Sequence, residues 1–122
     1  MKDFFAPAIP AENVLSSCLR VHMVDSDGME PDLRSRRDYV LLAPVQGFQG
    51  DGLYLVDVCG GPTLYRAENV LGGQIRIKLD NPFYKGSFTF SHDEFFEIAL
   101  GIVVADIKVR DERFLRAEGL PC

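Results

Sequence analysis

The sequence contains few of the residues that build metal centres and disulfide frameworks. Its two histidines, His22 and His92, have no cysteine or second histidine at metal-ligand spacing. Its three cysteines, Cys18, Cys59 and Cys122, form no Cys-x-x-Cys pair. An odd set of separated cysteines favours free thiols in a reducing compartment. We therefore expect a cytoplasmic protein that holds no metal and no cofactor.

Long apolar runs and an excess of basic charge are also missing. No segment approaches the roughly 18 apolar residues of a membrane span, and the N-terminus lacks the apolar stretch of a secretory signal. Eighteen acidic residues outnumber thirteen basic ones, which gives a net charge of −5. Binding to phosphates requires clustered Lys and Arg, so we expect neither a membrane partner nor direct nucleic-acid binding by this chain.

The composition is that of an ordinary folded domain. In 122 residues, 47% are hydrophobic and 25% are charged, which is enough apolar surface for one core. The first residues are rich in Pro and Ala, with Pro7 and Pro10 among them. We predict an N-terminal arm or linker remnant over residues 1–18 and a single domain over residues 19–122.

The apolar pattern is that of β-strands. Short runs of Val, Ile, Leu and Tyr alternate with clusters of Gly, Pro, Asn and Asp. Strands are predicted at 19–24, 38–43, 53–58, 63–66, 74–79, 87–90 and 102–109. Gly-Gly pairs at 60–61 and 72–73 predict hairpin turns, and the only helical signal follows Pro31. The fold predicted is mostly β, as a twisted, mainly antiparallel and partly closed domain.

One segment has the form of an active-site corner. In "RVHMVDSDGMEP", residues 20–31, a strand leads directly into a tight polar turn that contains Ser26. A nucleophilic serine needs a base within hydrogen-bond reach, either a histidine or a desolvated lysine. No Gly-x-Ser-x-Gly elbow is present, so a base for Ser26 has to come from elsewhere in the fold.

Four motifs in order resemble the C-terminal domains of LexA and lambda-type phage repressors, a self-cleaving serine peptidase-like family. "SDGMEPDLRSRRDYVLLAP" resembles the family's Gly-Asp-Ser-Met-x-Pro turn and the strand after it. "GDGLYLVDV", "GGPTLYRAENVLGGQIRIKLDNPFY" and "EIALGIVVADIKV" resemble its later strands and hairpin. The resemblance covers residues 20–109. It implies a twisted β domain that dimerises and is joined, in full-length repressors, to a helix-turn-helix that reads operator DNA.

Self-cleaving members of that family use a Ser–Lys dyad to cut an Ala-Gly or Cys-Gly bond in the preceding linker. Residue by residue, the serine position falls on Gly28 and the lysine position on Tyr65. Residues 1–19 contain no Ala-Gly or Cys-Gly pair. Glycine offers no nucleophile, and tyrosine, with a pKa of about 10, is a poor proton acceptor at neutral pH. The resemblance therefore implies a catalytically degenerate member that is not an enzyme.

A shifted alignment keeps one catalytic alternative open. It places Ser26 at the nucleophile position and treats Asp27-Gly28 as an insertion, but it supplies no lysine. The nearest lysines in sequence are Lys78, which alternates outward in its predicted strand, and Lys85 in the following loop. A second alternative is a regulatory domain that binds a small ligand in the vacated cleft between Gly28 and Tyr65.

The leading expectation is a non-catalytic dimerisation or oligomerisation domain of a phage-type transcriptional repressor. Its partner is itself, as a homodimer or higher oligomer. It would contact operator DNA only through an N-terminal domain that is not recognisable in this sequence. Exposed edges and apolar tails are where such a domain pairs. The interface residues predicted on this basis are Val103, Ile107, Val109, Phe114, Leu115 and Phe48.

Overall fold

A computed structural model describes residues 8–58 and 60–119 of the chain. Within these residues the strands are β1 (Arg20–Met23), β2 (Tyr39–Pro44), β3 (Gly52–Val58), β4 (Gly61–Val70), β5 (Gln74–Lys78), β6 (Phe88–Ser91) and β7 (Ala99–Ile107). Helix α1 (His92–Ile98) precedes β7, and short 3-10 helices lie at Ala11–Asn13, Glu112–Phe114 and Ala117–Gly119. Cys59, Cys122 and the first seven residues of the predicted arm lie outside the described residues.

The strands form one antiparallel sheet in the order β1-β2-β7-β3-β4-β5-β6. The sheet curls into a half-barrel, so the prediction of a twisted, mainly antiparallel and partly closed β domain is confirmed. Each predicted strand overlaps an observed one, although β4 extends well beyond the predicted residues 63–66. Because the barrel does not close, β1 and β6 remain edge strands with unpaired backbone groups on one side.

Both Gly-Gly pairs lie at hairpin turns, as predicted. Gly60 has a φ of +91° in the connection between β3 and β4, and Val58 pairs with Gly61 across it. Gly72 and Gly73 have φ angles of +89° and +71° between β4 and β5. These left-handed conformations disfavour residues with a Cβ, which explains why glycine occupies the turns.

The helical prediction was wrong in its position. The residues after Pro31 form turns, whereas the α-helix begins at His92. Ser91 caps this helix: its hydroxyl accepts from the Glu94 N–H, and the Glu94 carboxylate accepts from the Ser91 N–H. This reciprocal capping box has a sequence signature, Ser-x-x-Glu before an apolar residue, which could have predicted the start of this helix.

Two clusters of buried side chains form the core. One lies beneath the corner between β1 and β2 and consists of Val24, Met29, Leu33, Val40, Leu42, Leu55 and Leu64. The other lies under α1 and consists of Tyr54, Val56, Ala67, Ile75, Ile77, Phe95 and Ala99. Phe48 packs on the second cluster, with its ring stacked on Tyr54 and edge-on to Phe95, each at 5.9 Å between centroids. Its side chain is therefore partly buried against the core, and its interface role stays a prediction.

Candidate functional site

The corner that resembles a peptidase active site is held from below by a buried carboxylate. Asp38, just before β2, is fully buried and accepts hydrogen bonds from the backbone N–H and both Nε and Nη2 of Arg34, at 2.8, 3.1 and 2.8 Å. It also accepts from the Val109 N–H at 3.2 Å. The hydrogen bond from the Arg34 guanidinium holds the pKa of Asp38 well below its usual range, against the opposing effect of burial.

The turn itself is inserted into the core. Met29 and Leu33 are buried in the first core cluster, and the Leu33 N–H donates to the Met29 carbonyl at 3.1 Å. Gly28, immediately before Met29, is also buried. The apolar residues that follow the turn therefore fix its backbone, and position 28 faces the protein interior.

A second loop, residues 79–87, fastens the turn from the side. The Asn81 N–H donates to the Gly28 carbonyl at 2.8 Å, and Asn81 Nδ2 donates to the Asp27 carbonyl at 2.8 Å. The Tyr84 hydroxyl donates to Asp27 Oδ1 at 2.7 Å, and this hydrogen bond raises the pKa of Tyr84. The corner and the loop after β5 therefore form one hydrogen-bonded unit.

Leu79 packs against Gly28, the position matched to the serine of the dyad. A Cβ built on Gly28 would lie 2.7 Å from Leu79 Cδ2, closer than carbon atoms approach, so any side chain there requires Leu79 to move. Leu79 and Tyr65, the position matched to the lysine, both line a cavity of about 360 Å³.

Ser26, the alternative nucleophile, is exposed at the tip of the turn. No hydrogen bond joins its hydroxyl to a basic side chain within residues 8–58 and 60–119. Lys78 lies on β5, with its Nζ 3.5 Å from Glu68 Oε1. Lys85 is exposed in the 79–87 loop. The structure therefore shows no activated serine at this position.

A separate feature, the outer face, is an apolar surface on β1, β2 and β7. The register pairs Val21 with Leu41, Met23 with Tyr39, Leu41 with Ala105 and Tyr39 with Ile107. Directly paired residues point to the same side of a sheet, so these six side chains share one face. Val21 is 63% exposed and Met23 is 40% exposed. We define the outer face as Val21, Met23, Tyr39, Leu41, Ala105 and Ile107.

The C-terminal tail borders the outer face. A cavity of about 280 Å³ is lined by Val21, Tyr39, Ile107, Leu115 and Arg116. Arg116 Nη2 donates to the Tyr39 hydroxyl at 3.3 Å, which places the tail alongside β2. Leu115 remains 46% exposed, so the tail adds apolar surface to the edge of this face.

The predicted interface residues divide between this region and the core. Ile107 and Leu115 lie at the outer face and its border, and Phe114 is exposed beside Leu115. Val109 is only 6% exposed and its N–H bonds Asp38, so its predicted interface role is corrected. Val103 lies on the side of the sheet opposite to the outer face, where it packs against the first core cluster.

The sequence prediction missed the contributions of β1 and β2 to this face. Val21 and Met23 alternate with charged or polar neighbours, and Tyr39 and Leu41 alternate with buried Val40 and Leu42. Along β2, this alternation leaves apolar residues on both sides of the strand, so it could have identified the side that faces away from the core.

No protein-family model and no curated protein sequence matches this chain. Within the described residues, no helix is long and apolar enough to cross a membrane. No group of three or more His, Cys, Asp or Glu side chains in the same part of the chain is arranged to hold a metal ion.

Proposed function

We propose that this chain is a non-catalytic self-association domain of a phage-type transcriptional repressor, acting in the cytoplasm. The observation that carries the proposal is the outer face, an apolar surface of three adjacent strands on which Val21, Met23 and Ala105 are exposed and Tyr39, Leu41 and Ile107 are half-buried in a single chain. A contiguous apolar patch of this kind is typical of a protein–protein contact. The resemblance of four ordered motifs supplies the class of protein.

A second copy of the chain is the occupant that we propose for this face. The face ends at β1, an edge strand whose outer side faces no partner strand within residues 8–58 and 60–119. A two-fold arrangement would bring the same face and edge of both copies together, since a two-fold interface is self-complementary. Apolar burial and strand pairing would then act at one interface.

Self-association would act through avidity. Linking two weak DNA-binding heads raises the effective concentration of the second head without any new DNA contact. The two-fold symmetry of the dimer would match the symmetry of a palindromic operator. In this proposal the present chain supplies the association and a separate helix-turn-helix supplies the DNA contacts, which agrees with the chain's net charge of −5.

The absence of catalysis in this proposal is supported by the arrangement around Leu79. Glycine at position 28 has no nucleophilic atom, and Leu79 occupies the space that its side chain would enter. A tyrosine phenol, with an ordinary pKa of about 10, is a poorer proton acceptor than the lysine of the resembled family's dyad. These residues support the proposal of a non-catalytic domain.

Sedimentation velocity on paired variants tests this function. Val21→Glu places a charge on the outer face and should convert the protein to monomers at concentrations at which the unmodified chain is dimeric. Leu71→Glu is the matched control, because Leu71 is 99% exposed at the β4–β5 turn, away from the outer face. Dissociation of both variants, or of neither, would contradict the assignment of the outer face.

A further inference from the structure

The largest opening near the corner lies where β5 and β6 separate. The two strands pair from Gln74–Ser91 as far as Ile77–Phe88, and beyond that pair the chain leaves β5 into the 79–87 loop. The cavity of about 360 Å³ lies in this gap, with Ile77 at its base. We name it the splayed-strand cavity. Its volume is within the range of small-molecule sites.

The walls of the splayed-strand cavity are apolar and aromatic. Ile77 is fully buried, and Leu79 and Tyr65 complete the inner side. Tyr84 and Phe88 form the outer side and are 40% and 50% exposed. Aromatic side chains that keep this much surface exposed leave apolar area for a ligand to cover.

The free charge at this cavity is the ammonium group of Lys85. Lys78 and Lys85 are the charged residues among those that line it. Within residues 8–58 and 60–119, Lys85 makes no ion pair or hydrogen bond. The side chain of Lys78 lies on the face of β5 opposite to Ile77, with its Nζ 3.5 Å from Glu68 Oε1. Lys85 is therefore the cation that an anionic ligand in this cavity would meet.

Hydrogen bonds outside the cavity hold its walls in place. The Tyr84 hydroxyl bonds Asp27, which fixes the outer wall to the corner. Arg66 bonds both carboxylate oxygens of Asp80, at 2.8 and 2.7 Å, which fixes the chain as it leaves β5. Walls that are held before a ligand arrives reduce the ordering cost of binding.

We propose that the splayed-strand cavity binds a small amphipathic anion, a carboxylate attached to an aromatic or branched apolar body. The apolar body would cover Ile77, Leu79 and Phe88, and the carboxylate would lie beside the ammonium group of Lys85. The Ile77–Phe88 pair closes one end of the gap, which favours a compact molecule over an extended chain. This site is independent of the outer face, so each proposal can fail without the other.

Titration of the whole 15N-labelled chain with aromatic carboxylates tests the site. The probes are benzoate, indole-3-acetate and 1-naphthylacetate, each added up to about 10 mM, which covers millimolar affinities. We expect saturable amide shifts at Leu79, Lys85, Gly86 and Ser87 with at least one probe. The absence of saturable shifts at these residues with all three probes would overturn the proposal.

Two comparisons separate a specific anion site from general apolar binding. Indole-3-acetamide, the neutral counterpart of indole-3-acetate, should bind at least about fivefold more weakly, a difference of about 1 kcal/mol. Lys85→Met should remove that preference, whereas Lys108→Met, at the far end of β7, should retain it. Equal binding of acid and amide by the unmodified chain would refute the role of Lys85.

A blocking variant tests the location. Ser87 is exposed and lines the cavity, so Ser87→Trp should fill the opening without disturbing the core. The variant should keep its dispersed amide spectrum and lose the probe-induced shifts. Retained binding in a folded Ser87→Trp variant would place the ligand elsewhere and contradict the assignment.

Discussion

Replacing Asp38 with Asn should destabilise the domain strongly. The carboxylate is fully buried and accepts three hydrogen bonds from Arg34 and one from the Val109 N–H. An amide of the same shape keeps one acceptor but turns its NH₂ group towards donors, and it leaves the guanidinium without its counter-charge. Breaking a buried, hydrogen-bonded charge pair from one side costs about 2 to 4 kcal/mol.

Urea denaturation measures this loss directly. The free energy of unfolding of Asp38→Asn should fall by that amount with an unchanged dependence on urea, because the surface exposed on unfolding is the same. Asp111→Asn is the matched control, since the Asp111–Arg113 pair has similar bond lengths on an exposed surface. A change below about 0.5 kcal/mol in Asp38→Asn would refute the structural role of this carboxylate, as surface substitutions usually lie in that range.

The same pair of proteins should differ in pH dependence. The folded-state pKa of Asp38 is lowered, chiefly by its hydrogen bond from Arg34, so the stabilisation is fully present above the unfolded pKa of about 3.9. It is lost progressively as the pH falls below that value towards the folded pKa. The stability difference between the unmodified chain and Asp38→Asn should therefore be constant from about pH 5 to 7 and shrink below about pH 4. A difference that grows on acidification would contradict the assignment.

Three further predictions concern the corner and the helix. Gly28→Val should destabilise the fold by about 1 to 3 kcal/mol, because the new side chain overpacks against Leu79. In urea titrations, adding Leu79→Ala to this variant should recover part of that loss. Strictly additive losses from the two substitutions would contradict the contact. The unmodified chain, incubated with activated recombinase or at alkaline pH, should show no self-cleavage by mass spectrometry; cleavage that Ser26→Ala abolishes would reinstate the catalytic alternative. Ser91→Ala should lower the thermal midpoint through the loss of about 1 kcal/mol of helix capping, and an unchanged midpoint would show that the capping box contributes nothing.

The strands were predictable because their local patterns agree with the tertiary structure. Alternation in "QIRIKL" matches β5, where Ile75 and Ile77 are buried and Arg76 is exposed. The glycine pairs identified the turns because hairpin turns require positive φ angles, which depend on the local backbone alone. Helix α1 was missed because it spans only seven residues, too few for a helical period to be evident beside a strong polar composition.

The site was predictable only where a motif carries it. The positions Gly28 and Tyr65 followed from ordered motifs. Leu79, which fills the space beside Gly28, lies on a loop that the Asn81 and Tyr84 hydrogen bonds hold against the corner. The burial of Val109 could not be distinguished from that of Ile107 in the sequence, because both are apolar residues of the same predicted strand. Burial of Val109 results from the folding of the tail over Asp38, a contact across 71 residues of sequence.

Sedimentation equilibrium of the unmodified chain over a wide concentration range tests the central claim most directly. Apolar burial at the outer face predicts a reversible increase in mass from 13.6 kDa to twice that value as concentration rises, with a fit to a monomer–dimer equilibrium. A mass that stays at 13.6 kDa up to the highest concentration would contradict self-association and, with it, the function proposed for this domain.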